Sequence, residues 1–384
     1  STKIEVDKTA DYEQMLGEVY NILQHYYYDS RHHNLNWRAT YESYLPVLKQ
    51  VREDRDFYDY ANMMIGHLNS SHTGIRAPRS GGTELPSGHI GAFFDFSGQN
   101  IKIGKIFKDG PLYEHRESVN EGDELIEIEG ESVNSGQNIW QKLNGKIGKR
   151  LKLTFRNTST GENSEVALKP VSGGAENRLQ LEEWIQSRKD MVKEGTDDDI
   201  AYLYMRAMGM GDLRRFLLEL ERDAVPRKGL ILDLRWNNGG NVHDRVLEAL
   251  TKPVYAKWTV RGMAETNQSS YGFADKPIIL ITNERTLSDG EMTTAGFMAL
   301  NRGKVVGNTT YGWLIFTTSH GLMNGGSFRL PFWGCYTLDG QDLETNGGIK
   351  PDILIINDLN HDLNGQDPQL DKAIEEILKE IRKR

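Results

Sequence analysis

Beyond residue 199 the chain repeats one pattern: a short run with few polar residues, then a stretch with helical periodicity. The runs lie at 200–205, 229–234, 278–282, 305–306 and 353–356. They are short for helices and lack the alternation of a half-exposed strand. Such runs suit strands covered on both faces, and strands that alternate with helices imply at least some parallel pairing. Covering helices are expected at 213–220, 246–250 and 292–300. A closing helix carries Leu370, Ile374, Ile377, Leu378 and Ile381, and its Lys/Arg-rich end suits the negative pole of the helix dipole. The expected fold class is α/β.

Upstream the patterning differs. Tyr12, Met15, Leu16, Val19, Tyr20 and Leu23 form the stripe of an amphipathic helix, and further helices are expected at 41–51 and 56–68. The helical pattern breaks at 69–74, and a Gly/Ser/Pro-rich stretch at 79–88 marks a boundary. Short strands follow at 90–96, 101–107, 124–128, 151–155 and 165–168, with a polar turn at 120–123 and a helix at 138–144. Residues 171–175 read as a linker. The expected division is a helical subdomain at 1–80 carrying Ser71 and His72, a β domain at 86–171, and an α/β core at 178–384. Such a division fits 384 residues.

Composition excludes several classes of function. A net charge of −9 argues against a protein that grips a phosphate backbone. The one cysteine, Cys335, excludes an internal disulfide framework and any Cys-cluster metal site. No apolar run approaches the length of a membrane span and no signal peptide opens the chain. The first residue is Ser rather than Met, as expected of a processed or trimmed chain, so the compartment stays open between cytoplasm and periplasm. No Walker loop, dinucleotide-binding loop or zinc-binding helix is present, and the His32-His33 pair reads as solvated loop. No metal or organic cofactor is expected.

Four segments remain that could carry chemistry. "TNERTLSDGEM" at 282–292 takes a buried strand through a polar turn into a helix beginning at Ser288. Ser288 and Glu291 form a capping-box pattern, which alone accounts for the serine. The same position suits a nucleophile, because helix N-terminal N–H groups stabilise a developing oxyanion. "DLRWNNGG" at 233–240 ends a strand in paired glycines, which serve a turn or let a backbone N–H approach a carbonyl closely. "SSH" at 70–72 puts His72 on a loop, and an acidic loop at 339–352 contains "LETNGGIKPD".

These four segments occur in the order and approximate spacing found in the core of the tricorn protease, and the chain resembles that family along almost its whole length. The strand order with "DGPLYEH" and "EGDELIEIEGESV" is similar to a PDZ domain of bacterial proteases. The resemblance implies a crotonase-like α/β peptidase core with an N-terminal helical segment and an inserted PDZ-like β domain. It implies a serine peptidase acting on peptides or unfolded proteins through an acyl-enzyme. By that resemblance Ser288 is the nucleophile, His72 the base, Glu344 or a neighbouring acid the distal carboxylate, and Ser71 the hydroxyl linking the acid into the network. The N–H groups of Asp289 and Gly239, with Gly240 as the alternative to Gly239, form the oxyanion hole. Tricorn forms hexamers, so homo-oligomerisation is open.

The related C-terminal processing peptidases place a lysine base about 25 residues after the serine. Here that position is Trp313, which cannot act as a base and leaves the role to an imidazole. The competing reading from another class is a peptide- or ligand-binding protein on the same fold.

Overall fold

The computed structural model describes residues 7–78 and 85–383, so the first six residues of the expected boundary at 79–88 lie outside the described residues. The chain forms two compact units, one of Ser1–Arg79 with Met191–Arg384 and the other of Ser80–Asp190. The N-terminal helices therefore belong to the same unit as the α/β core.

In the first unit, α1 (Lys8–Tyr26) starts where the Asp7 carboxylate accepts the Thr9 and Ala10 N–H groups, at 3.0 and 3.2 Å. Its predicted stripe faces inward: Tyr12, Met15, Leu16, Val19 and Leu23 are buried. The stripe meets α2 (Trp37–Leu48), α3 (Asp54–Gly66) and a short strand, β1 (Gly74–Arg76). Tyr12 stacks on Phe57 at 4.8 Å between ring centres. Truncating a ring so enclosed costs about 3–5 kcal/mol. His32 and His33 are not solvated loop as their polarity suggested. His32 is buried and stacks between Tyr27 and Trp37, and His33 bonds the Tyr28 hydroxyl at 2.6 Å and the Leu68 carbonyl at 2.8 Å.

The α/β layer is a five-stranded parallel sheet in the order β2 (Ile200–Tyr204), β3 (Gly229–Asp233), β4 (Ile278–Thr282), β5 (Lys304–Gly307) and β8 (Ile353–Leu354). Every residue of β2, β3 and β4 is buried, which is why these runs show no alternation. Helices α4 (Met210–Glu219), α5 (His243–Thr251), α6 (Asp289–Ala299) and α7 (Pro368–Arg382) complete the layer. Between β5 and β8 an antiparallel hairpin, β6 (Phe316–Gly321) and β7 (Ser327–Trp333), pairs with β1. Phe328 and Leu330 of β7 join the core of the N-terminal helices, tying residues more than 250 apart in sequence into one body.

Just past β3 lies a fully buried ionic cluster. Arg235 pairs with Asp233 at 2.6 Å and with Asp367, the N-cap of α7, at 2.7 Å. Breaking such a cluster from one side strands a charge and costs about 3–5 kcal/mol.

The second unit is an antiparallel sheet of 92–95, 101–106, 124–128, 151–156 and 163–168, with 131–132 paired to 124–128. Ile101, Leu125, Leu151, Leu153 and Phe155 are among its core residues. The expected linker at 171–175 is instead a strand pair and the opening of a 23-residue helix, Gly173–Gly195. Glu176 in its first turn is buried and accepts from Gly91 N–H at 2.9 Å and from the His89 imidazole at 2.6 Å. Those bonds account for a helix that opens on two glycines.

Candidate active site

Parallel α/β sheets carry their sites beyond the carboxyl ends of the strands. Here the loops after β3, β4 and β5 meet there. Ser288 sits where β4 turns into α6, with φ 55° and ψ −118°. A serine at positive φ is strained by roughly 1–3 kcal/mol and persists only where its surroundings hold it. They do: Thr286 Oγ1 donates to the Leu234 carbonyl at 2.8 Å, Leu287 N–H to the Asn237 carbonyl at 3.0 Å, and Ser288 N–H to Glu291 Oε2 at 2.9 Å. Only half of the expected capping box is made. Glu291 N–H bonds the Ser288 carbonyl at 2.9 Å, and the Ser288 hydroxyl makes no hydrogen bond among the described residues.

The glycine turn abuts this elbow. A Cβ on Gly239 (φ 75°) would lie 2.6 Å from Ser288 Cβ, and one on Gly240 only 2.1 Å from the Met208 carbonyl oxygen. The Gly239 N–H is committed to Asn237 Oδ1 at 2.9 Å, whereas the N–H groups of Gly240 and Asp289 make no hydrogen bond among the described residues. Of the sequence-derived amide pair, Asp289 is thus uncommitted and Gly239 is engaged.

His72 (φ 56°) packs edge-on against Trp313 with 5.4 Å between ring centres. Its Nε2 is buried with no partner among the described residues. Burial, reinforced by the Arg329 charge and opposed by a bond to the Trp313 backbone, pushes the imidazole down to about 4. It is therefore neutral near pH 7, with a lone pair available. Glu344 accepts from Ser71 N–H at 2.5 Å and Ser71 Oγ at 2.9 Å, and burial raises its pKa. The structure thus joins Glu344 to Ser71. Among the described residues no hydrogen bond joins Ser71 to His72, or His72 to Ser288.

What connects the two halves is a residue read from sequence only as a cap. Glu291 is fully buried and accepts four bonds: Ser288 N–H at 2.9 Å, Trp313 N–H at 2.8 Å, Gly312 N–H at 2.7 Å and Thr310 Oγ1 at 2.7 Å. The loop that walls His72 through Trp313 therefore hangs on the helix that carries Ser288. Trp313, noticed in the sequence only for not being lysine, is that wall. Among the described residues no group of three or more His, Cys, Asp or Glu could hold a metal ion, and no helix is long and apolar enough to cross a membrane.

Three family profiles match in succession: the tricorn protease C1 domain at residues 8–66, the tricorn protease PDZ domain at 88–173 and peptidase family S41 at 199–355. The chain thus resembles the tricorn proteases along most of its length, and its α/β core matches peptidase family S41. The S41 match spans the loops that hold Gly239, Ser288, Trp313 and Glu344, while the tricorn C1 match ends shortly before Ser71. Tricorn protease homolog 1 of Streptomyces coelicolor is 28% identical over 387 residues, covering 96% of this chain and 35% of that protein. The tricorn protease of Thermoplasma volcanium is 27% identical over 388 residues, covering 97% and 37%. The crystal structure of the tricorn protease shares the fold, with a TM-score of 0.85 at 23% identity over 97% of this chain and 37% of that one. The chain spans about a third of the length of these relatives. The tricorn-like α/β core with N-terminal helices and a PDZ-like domain, expected from the motifs, is what the structure contains.

Proposed function

We propose that this chain is a serine peptidase in which Ser288 attacks the scissile carbonyl and His72 takes its proton. The observation that carries the reading is the Ser288 elbow, where strain exposes an uncommitted hydroxyl next to the uncommitted Asp289 N–H. Attack forms the Oγ–C bond and passes the Oγ proton to His72 Nε2. Collapse breaks the C–N bond, and the same proton leaves on the amine. Water then repeats the sequence on the acyl-enzyme.

Asp289 N–H and the Gly239–Gly240 turn would receive the oxyanion. The Gly240 amide is ready, and that of Gly239 joins only by releasing Asn237. Glu344, acting through Ser71, supplies negative charge on the His72 side. The substrates proposed are peptides or unfolded proteins, and self-assembly is part of the same proposal.

The test is labelling by a fluorophosphonate probe, with casein turnover measured in parallel. Wild type should label, Ser288→Ala should not, and His72→Ala should label slower by about 10³-fold. Equal labelling of all three, or binding of casein without cleavage, overturns the reading.

A further inference from the structure

Outside the Ser288–His72 pair, one more titratable cluster touches the catalytic turns. Asp289, first residue of α6, has a buried carboxylate aimed away from its own helix. Oδ2 accepts Val242 N–H at 2.7 Å and His243 N–H at 3.1 Å, the first amides of α5. Oδ1 accepts from His243 Nδ1 at 2.5 Å. A carboxylate set on a helix N-terminus is favourable in itself. This one also spans the two segments that border the proposed oxyanion pocket: residue 289 on one side, and residues 242–243, two positions beyond Gly240, on the other.

We infer that His243 is a positioning residue for the proposed peptidase reaction, fixing the distance between the Asp289 amide and the Gly239–Gly240 turn by holding the Asp289 carboxylate from the α5 side. The inference rests on the peptidase reading above. Without the imidazole, Asp289 keeps two backbone donors but loses the side chain that fixes its orientation. The α5 start could then drift from the α6 start, and with it the turn that abuts Ser288. Amides displaced by a fraction of an ångström still bind substrate but stabilise the oxyanion poorly, so the loss falls on kcat.

The pair is also sensitive to pH. The groups facing the imidazole are Asp289 from α6, Asp244 on its own helix at 3.5 Å, and the Phe316 ring from β6 at 6.0 Å. The hydrogen bond and charge of Asp289 raise the imidazole pKa above its ordinary value of 6.5, against the effect of burial. A raised pKa means that the bond to Asp289 is charge-assisted at low pH and weakens as pH climbs through the raised value. His72 is shifted the opposite way, so the two imidazoles bound a working window: His72 neutral, His243 charged.

The experiment follows fluorophosphonate labelling of Ser288 from about pH 5 to about pH 9, alongside proton NMR titration of His243 in the wild-type chain. Wild type should lose about tenfold in labelling rate on the alkaline side, with the midpoint coinciding with the His243 titration. His243→Ala should label about 10–100-fold slower near pH 6 and show no alkaline limb. His243→Gln, which keeps a donor but no charge, should label at every pH near the alkaline rate of wild type and still lack the limb. For casein, KM should stay within about twofold while kcat falls. A limb that survives in either variant, wild-type rates in both, or a wild-type midpoint that does not follow His243 overturns the inference alone. A wild-type chain that labels no faster than Ser288→Ala overturns the peptidase reading and takes the inference with it.

Discussion

The two halves of the proposed catalytic pair are built to different standards. Ser288 is held from every side, its backbone tied through Thr286, Leu287 and Glu291 and its helix start anchored by Asp289 to α5. His72 is held mainly by packing against Trp313, and the backbone bond to Trp313 that favours its charged form is opposed by burial and by Arg329. The nucleophile needs over-determination because its positive φ is strained and would relax if freed. The base needs a lone pair left open, and every added hydrogen bond would take that away. The difference teaches where this site should tolerate change and where it should not.

The largest effect is expected at the hub that serves both halves. Glu291→Leu removes the acceptor of one buried and three partly buried donors and should destabilise the chain by about 3 kcal/mol, read as a fall in the denaturant midpoint. An unchanged midpoint would mean that the Ser288 side is not over-determined after all. Next comes Gly239→Ala, whose Cβ would meet Ser288 Cβ at 2.6 Å in a left-handed backbone. It should cut kcat about 100-fold while the chain still folds, checked by turnover and circular dichroism on the same sample.

Smaller effects are expected on the looser side. Because the His72 imidazole sits near 4, kcat/KM should rise with pH through about 4 and level off before the alkaline fall tied to His243. The same lowered value means that stability from keeping His72 neutral is present above 6.5 and lost as pH falls through 4. Removing the positive charge with Arg329→Gln should move the acid limb upward by about half a pH unit, the smallest change predicted. An acid limb that does not move would show that burial alone sets the base.

Much of this was legible in the sequence, for local reasons. The parallel strands declared themselves because burial on both faces removes alternation, and the four motifs lay at strand ends where chemistry collects. What stayed hidden depends on partners distant in sequence. Nothing near Glu291 announces that its other acceptor sites face Thr310, Gly312 and Trp313, or that Asp289 reaches back to Val242 and His243. The helix Gly173–Gly195 was obscured by its two opening glycines and few apolar positions, since Glu176 is fixed by residues some 85 positions earlier. The hairpin of β6 and β7 escaped notice because its polar and apolar residues do not sort into one clear face. His32 and His33 looked solvated because stacking on Tyr27 and Trp37 leaves no periodic signature.

The ion cluster beyond β3 has a consequence for the life of the chain before it is finished. Arg235 stands at the root of the glycine turn and takes one of its two carboxylates from Asp367, 132 positions further along the sequence. During synthesis, Ser288, the His72 imidazole and the turn all emerge well before that acid does. Until α7 docks, the guanidinium has Asp233 but lacks its second carboxylate, and the turn lacks half of its footing. A ribosome-bound chain thus carries Ser288, His72 and the glycine turn before the acid that helps to anchor that turn has been made.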